Sequence, residues 1–327
     1  MLDTGMRSIR HNIALPSLLS IVMLLAATQG KAATPENAEG VARPTPLLIS
    51  DSPSTLGVAE DGVENTPRMD FSLSVRYPLL YGSNTEKLKS SGGRLPFLGF
   101  NVKMAQYFNL RSAPVITRQF NPRLMVRTYS VVPEGETVWV DDSDMDYYDL
   151  GYAHESNGQY INSKAAFDAQ VQNLSNNQMA VDYIHRGWDY LDYARHLHFE
   201  MDRIGVLDLE LKYFLNHGLL ERNRNELYSW EPQSAVSHIG QVDGIRVKMG
   251  AVSDSSWFKN ANLTLMTGYR SFLRYNSFRF ESTVVPLSGY FGTPVMLWWQ
   301  SGYDNSVATF NIHSWSAGAV FSFQTSR

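Results

Sequence analysis

In the stretch LDLELKYFL, residues 207–215, every second side chain is apolar. Leu207, Leu209, Leu211, Tyr213 and Leu215 fall on one face, and Asp208, Glu210 and Lys212 on the other. A helix would scatter that pattern around its circumference, whereas a pleated strand gathers it into one apolar face. The same period recurs in LGFNVKM, where Leu98, Phe100, Val102 and Met104 oppose Gly99, Asn101 and Lys103. In IRVKMGA, Ile245, Val247 and Met249 oppose Arg246 and Lys248. A chain built from such segments folds as antiparallel sheet with one apolar face. A soluble sandwich satisfies the period equally well, so other features must decide.

The N-terminus is one of them. Arg7 and Arg10 give a basic start, IALPSLLSIVMLLAA is largely apolar, and GKAA supplies small residues for cleavage after Ala32. The apolar run is shorter than the roughly 20 residues that a spanning helix needs. Residues 1–32 therefore read as a signal peptide, and the Pro-, Glu- and Ala-rich residues 33–45 as a periplasmic leader or linker. The chain has no cysteine, so it is expected to enter an oxidising compartment without disulfide staples. A net charge of −4 gives no reason to expect a nucleic-acid partner. Export, 12 % aromatic residues and half-apolar strands together fit an all-β, transmembrane antiparallel β-barrel over residues 46–327.

Twelve strands are expected, over 46–50, 71–81, 97–108, 122–132, 138–156, 187–200, 206–216, 242–252, 261–270, 277–286, 293–301 and 312–323. Connections after odd-numbered strands are mostly the longer ones, which is how a bacterial barrel places its outer loops, and an even count returns both termini to the periplasm. The first strand, PLLIS, is the weakest in pattern.

Within this frame GYAHESNGQY, residues 151–160, ends the fifth strand at its outer end. His-x-Ser by itself says little, because eight histidines produce such a spacing by chance. Parity says more. Tyr148, Leu150, Tyr152, His154 and Ser156 share one face, and Tyr147, Asp149, Gly151, Ala153 and Glu155 the other. The acidic and small set belongs to the narrow interior, so His154 and Ser156 face lipid. On the next strand Asp189, Leu191, Tyr193, Arg195, Leu197, Phe199 and Met201 form the apolar set, which places Asp189 on the lipid face as well. Charge facing hydrocarbon costs a few kcal/mol and marks function by default. Ser156 as nucleophile, His154 as base and Asp189 as its orienting carboxylate fit acyl transfer. Arg195 on the same face is expected to snorkel or to mark a bulge.

These residues resemble the outer-membrane phospholipase A family of Gram-negative bacteria. YAHESNGQ is similar to its His-x-Ser-Asn-Gly strand end, and HRGWDYL to its Ser-Arg-x-Trp-Asn segment. SAPVITRQFNPRLMV and WWQSGYDNSVATFN resemble two further family segments more loosely. The resemblance implies a twelve-stranded barrel in the outer membrane, with its site at the outer leaflet. It also implies calcium-dependent hydrolysis of phospholipid acyl esters, activated in a homodimer. Carried over by position, it makes Gly158 an oxyanion donor, and Ser112, the Gln159 carbonyl and His185 the calcium set. Two departures stand out. Asp189 replaces an asparagine, a change conservative for orienting a histidine, and His185 replaces a serine ligand, although calcium prefers oxygen. Ser163 and Ser175, in the long 157–186 connection, are candidates to realign into that place. None of the lipid-facing residues of the third strand is the glutamine that the family uses at its dimer interface.

Other clusters read more plainly. His196 and His198, two apart on the interior face, are expected to bond Asp192 or Glu200, with metal chelation as the lesser alternative. DDSDMD, residues 141–146, reads as a solvated flank because it lacks the turn glycine of a calcium loop. RNRNE, residues 222–226, reads as a hydrated loop with lipopolysaccharide phosphates as a possible contact. The rival functional readings are a catalytically inert structural or pore-forming barrel, and an esterase acting on lipid A acyl chains.

Overall fold

The structure, a computed structural model, describes residues 48–323 apart from 64, 80–92, 109–114, 132–141, 143–144, 175–176, 200–204, 222–226, 254, 287–292 and 304–305. The strands are β1 (Ile49–Ser50), β2 (Ser54–Asp61), β3 (Arg68–Pro78), β4 (Arg94–Tyr107), β5 (Ile116–Tyr129), β6 (Tyr147–Ser156) and β7 (Gly187–His198). There follow β8 (Val206–Phe214), β9 (Gly244–Val252), β10 (Phe258–Gly268), β11 (Ser277–Val284), β12 (Val295–Gly302) and β13 (Ser314–Phe323). Each pairs antiparallel with its sequence neighbour from β2 to β13, and β13 closes on β2. The result is a closed twelve-stranded barrel. No helix among the described residues is long and apolar enough to cross a membrane.

Closure corrects the expected first strand. Ile49 and Ser50 pair only with Arg76 and Val75, while Thr55–Ala59 pair with Ser72–Arg68 farther along the same edge of β3. The two pieces are one strand interrupted at Asp51–Pro53. Pro53 has no N–H to give a ladder, and the Asp51 carboxylate turns to Arg123. The closing segment STLGVAED shows only Leu56 and Val58 as exposed large apolar groups, too few to mark it as a strand in sequence. The fifth expected strand is likewise trimmed, to a start at Tyr147.

Parity holds elsewhere. Leu98, Phe100, Leu150, Leu191, Leu211, Tyr213 and Met249 are exposed on the outer face. Inside, Asp149, Glu155, Tyr190, Asp192 and Lys212 are buried. The interior charges compensate one another. Arg127 donates to both Asp149 oxygens at 2.8 and 2.7 Å and lies over the Tyr147 ring, and Arg76 reaches Asp142 at 3.0 Å. Toward the Ser156 end, Arg118 bridges Asp61 at 3.3 Å and Asp182 at 3.1 Å, and Lys212 joins Asp243 and Glu155. Asp142 is thus a buried ion-pair partner and not a solvated flank residue.

His196 bonds Asp208, its cross-strand partner, at 2.5 Å and stacks on Tyr147, while Glu200 lies outside the described residues. No group of three His, Cys, Asp or Glu side chains able to hold a metal occurs among the described residues. Arg195 needs no bulge, since β6 and β7 run in continuous register. Its guanidinium reaches Ser130 Oγ at 3.2 Å, on the connection at the barrel end away from Ser156. That is snorkelling.

Candidate functional site

The register of β6 on β7 sets His154 directly opposite Asp189 and Ser156 opposite Gly187. Directly opposed side chains on one face of an antiparallel pair come within contact distance. The His154 Nδ1–H accordingly donates to Asp189 Oδ1 at 2.8 Å. Both stand on the outer face, yet Asp189 is only 1 % exposed.

Its cover comes from the chain that leaves β8. Leu215 N–H donates to the Asp189 carbonyl at 2.8 Å. A tight turn closed by Gly218 N–H on the Glu221 carbonyl then folds back, so that Leu220 N–H and Glu221 N–H each donate to Asp189 Oδ2 at 2.8 Å. A methyl group on Gly218 would lie 1.7 Å from that oxygen, so only glycine allows the approach. A charge that would be expensive toward lipid is thereby satisfied by three N–H groups, with no lysine or arginine on it among the described residues. The arrangement also revises the view of aspartate as a conservative exchange. One oxygen serves the imidazole and the other serves the turn. An asparagine has a single acceptor oxygen and would set its N–H₂ against one of these donors.

Ser156 stands beside the pair. A side chain built on Gly187 would meet Ser156 Cβ at 3.2 Å and His154 Cε1 at 3.5 Å, so the two residues flank one small gap over a glycine. Ser156 Oγ makes no hydrogen bond in this geometry. Asn157, fully buried, fixes the turn that follows. Its Nδ2 donates to the Ile184 carbonyl at 2.6 Å and its Oδ1 accepts Arg186 N–H at 3.0 Å. Gly158 then takes φ = 61°, the left-handed conformation that glycine adopts without strain, against the Phe120 ring. Gly158 is exposed, and its N–H has no acceptor among the described residues.

Of the residues carried over as a calcium set, Gln159 and His185 are described and contact each other. The His185 Nδ1–H donates to the Gln159 carbonyl at 3.0 Å, and its Nε2 faces Glu221 Oε2 at 3.3 Å. The imidazole thus bridges the two oxygens that a cation would claim. Ser163 caps the helix α1 (Lys164–Asn173) through Ala166 N–H, and Ser112 and Ser175 lie outside the described residues, as do residues 222–226. Among the described residues the site offers one carbonyl, one carboxylate and an imidazole, where calcium prefers oxygen ligands.

Asn157, Gly218 and Glu221 were not singled out in the sequence. Nothing in NHGLLER marks a cover for Asp189, which lies almost thirty positions earlier and is reached only through the barrel's register.

The fold and this surface define a class: a closed transmembrane-type barrel with a hydrogen-bonded His–Asp pair and an adjacent serine on its outer wall. Among solved structures the chain is similar to outer membrane phospholipase A from Escherichia coli, with a TM-score of 0.55 at 13 % identity over 88 % of this chain and 95 % of that one. It is similar also to the Salmonella typhi outer membrane phospholipase, a dimer with bound calcium, at TM-score 0.54 and 14 % identity over 88 % and 94 %. At that identity the likeness is one of fold. No family model and no curated protein sequence matches the chain.

Proposed function

We propose that the protein is an outer-membrane esterase that hydrolyses acyl ester bonds of phospholipids at the lipid-facing surface of its barrel. The observation that supports this best is the His154–Asp189 pair, bonded at 2.8 Å on a face that otherwise meets hydrocarbon, with Ser156 at its side. In the proposed reaction Ser156 Oγ attacks the ester carbonyl carbon while His154 Nε2 takes its proton. Asp189 holds the tautomer with Nδ1 protonated and stabilises the imidazolium. The developing oxyanion is met by the N–H of Gly158, on the turn that follows Ser156. His154 returns the proton to the departing lysophospholipid oxygen, the acyl group remains on Ser156, and a water activated by His154 releases the fatty acid.

Calcium is the expectation that the site residues support least, and no step is routed through it. A homodimer, as in the calcium-bound neighbour, is the proposed assembly in the membrane, and in-membrane cross-linking tests it. The inert-barrel reading leaves the covered carboxylate unexplained. The lipid A esterase reading uses the same side chains and differs in substrate. Acyl-ester release from phospholipid and from lipid A in mixed micelles, for the intact protein and Ser156→Ala, tests all three. Release from neither substrate by the intact protein would leave the inert barrel.

A further inference from the structure

We propose that the Gly218–Glu221 turn forms the acyl-chain wall of this site, with Leu219 and Leu220 as the residues that select a long hydrocarbon chain. The proposal rests on the esterase reading and goes beyond it by naming the substrate contact. Leu219 and Leu220 are 80 % and 64 % exposed, although each is fixed by its backbone. Leu219 N–H donates to Tyr152 Oη and Leu220 N–H to Asp189 Oδ2, both at 2.8 Å. Two large apolar side chains are therefore exposed on a turn that one amide anchors to Tyr152 and the next to the Asp189 carboxylate. Adjacent in sequence on one anchored turn, they have no structural task that their exposure would serve.

Their position commits the occupant. Tyr152 is paired with Leu191, which is paired with Tyr213, and Leu150 lies next along the same face. Leu150, Leu191 and Tyr213 are all exposed members of the outer apolar belt. The turn therefore extends that belt upward to the serine. A lipid whose ester carbonyl lies at Ser156 would run its acyl chain between this belt and the two leucines. A soluble ester with a short acyl group would reach the serine without touching them.

The test compares Leu219→Ser with the intact protein on a long-chain phosphatidylcholine in mixed micelles and on p-nitrophenyl butyrate. Losing the apolar contact of one leucine side chain is expected to lower the long-chain kcat/KM on the order of tenfold or more. The butyrate rate is expected to stay within about twofold, with Leu219→Met restoring the long-chain rate. Equal losses on both substrates would overturn the proposal by showing that Leu219 only supports the turn on Asp189, and unchanged rates on both would overturn it directly. Failure of the esterase reading looks different: the intact protein would then hydrolyse neither substrate, or both hydrolyses would survive Ser156→Ala.

Discussion

Two aspartates on adjacent strands, Asp149 inside the barrel and Asp189 outside, are both buried and are treated in opposite ways. Asp149 is neutralised by a guanidinium, with Arg127 on both of its oxygens. Among the described residues Asp189 meets no lysine or arginine, and it is held by two amide N–H groups and an imidazole. In the interior, ion pairing makes each charge a part of the scaffold. On the outer wall, neutral donors preserve a full negative charge next to a histidine, where it can stabilise an imidazolium formed in a reaction. The comparison separates charge that fills space from charge that is kept available.

The largest expected effects break the outer arrangement at its reacting atoms. Ser156→Ala and His154→Ala should each lower acyl-ester release by on the order of a thousandfold or more, with the heat-modifiable barrel unchanged on gels. Retained activity in either would remove that residue from the mechanism. Next come the groups that hold the carboxylate. Asp189→Asn and Gly218→Ala should each lower kcat by roughly ten- to a hundredfold, because one frustrates a donor and the other forces the turn off Oδ2. An Asn variant with the intact rate would show that a single acceptor suffices. The interior counterpart should behave in reverse. Asp149→Asn weakens a buried pair and is expected to destabilise the barrel by about 3 kcal/mol, softened by the second partner Asp142, while changing the rate less than about twofold. A rate loss larger than the stability loss would erase the distinction between the two aspartates.

Smaller effects sharpen the picture near the site. Replacing calcium by excess chelator should change the rate less than about twofold, since His185 bridges Gln159 and Glu221. In His185→Ser a calcium-dependent increase is expected, and strict calcium dependence of the intact protein would show that the imidazole swings aside. The smallest effect concerns the loop after β8. His238 caps a short 3₁₀ turn by accepting Gly240 N–H at 2.9 Å, and burial, then the charge of Arg270, pushes its pKa down to about 4. Between that value and the usual 6.5 the unfolded loop binds more protons than the folded one, so stability rises with pH across this window. Acidification through it should loosen the 236–242 segment, read as faster hydrogen exchange. His238→Asn keeps a capping acceptor and should remove the pH dependence.

The differences between sequence reading and structure follow one physical line. Which way His154, Ser156 and Asp189 face was legible because side-chain direction alternates with a fixed period of two and no distant contact can alter it. The strand count and the lipid-facing belt were legible for the same reason. Partners were not. His196 bonds Asp208 across the strand pair, and Asp142 is an interior ion-pair partner, because the pairing of groups depends on register and on how connections fold, both set by contacts distant in sequence. The closing strand Ser54–Asp61 was hidden because its small residues acquire meaning only when β13 and β3 lie on either side. The sequence by itself determined that a histidine, a serine and an aspartate stand on the outer wall of a barrel. Only the tertiary structure decided that His154 lies opposite Asp189, and that a turn some thirty residues later covers the carboxylate with two amides. Alternation is a local property of the chain, and the free energy of burying that charge is settled by groups that only folding brings together.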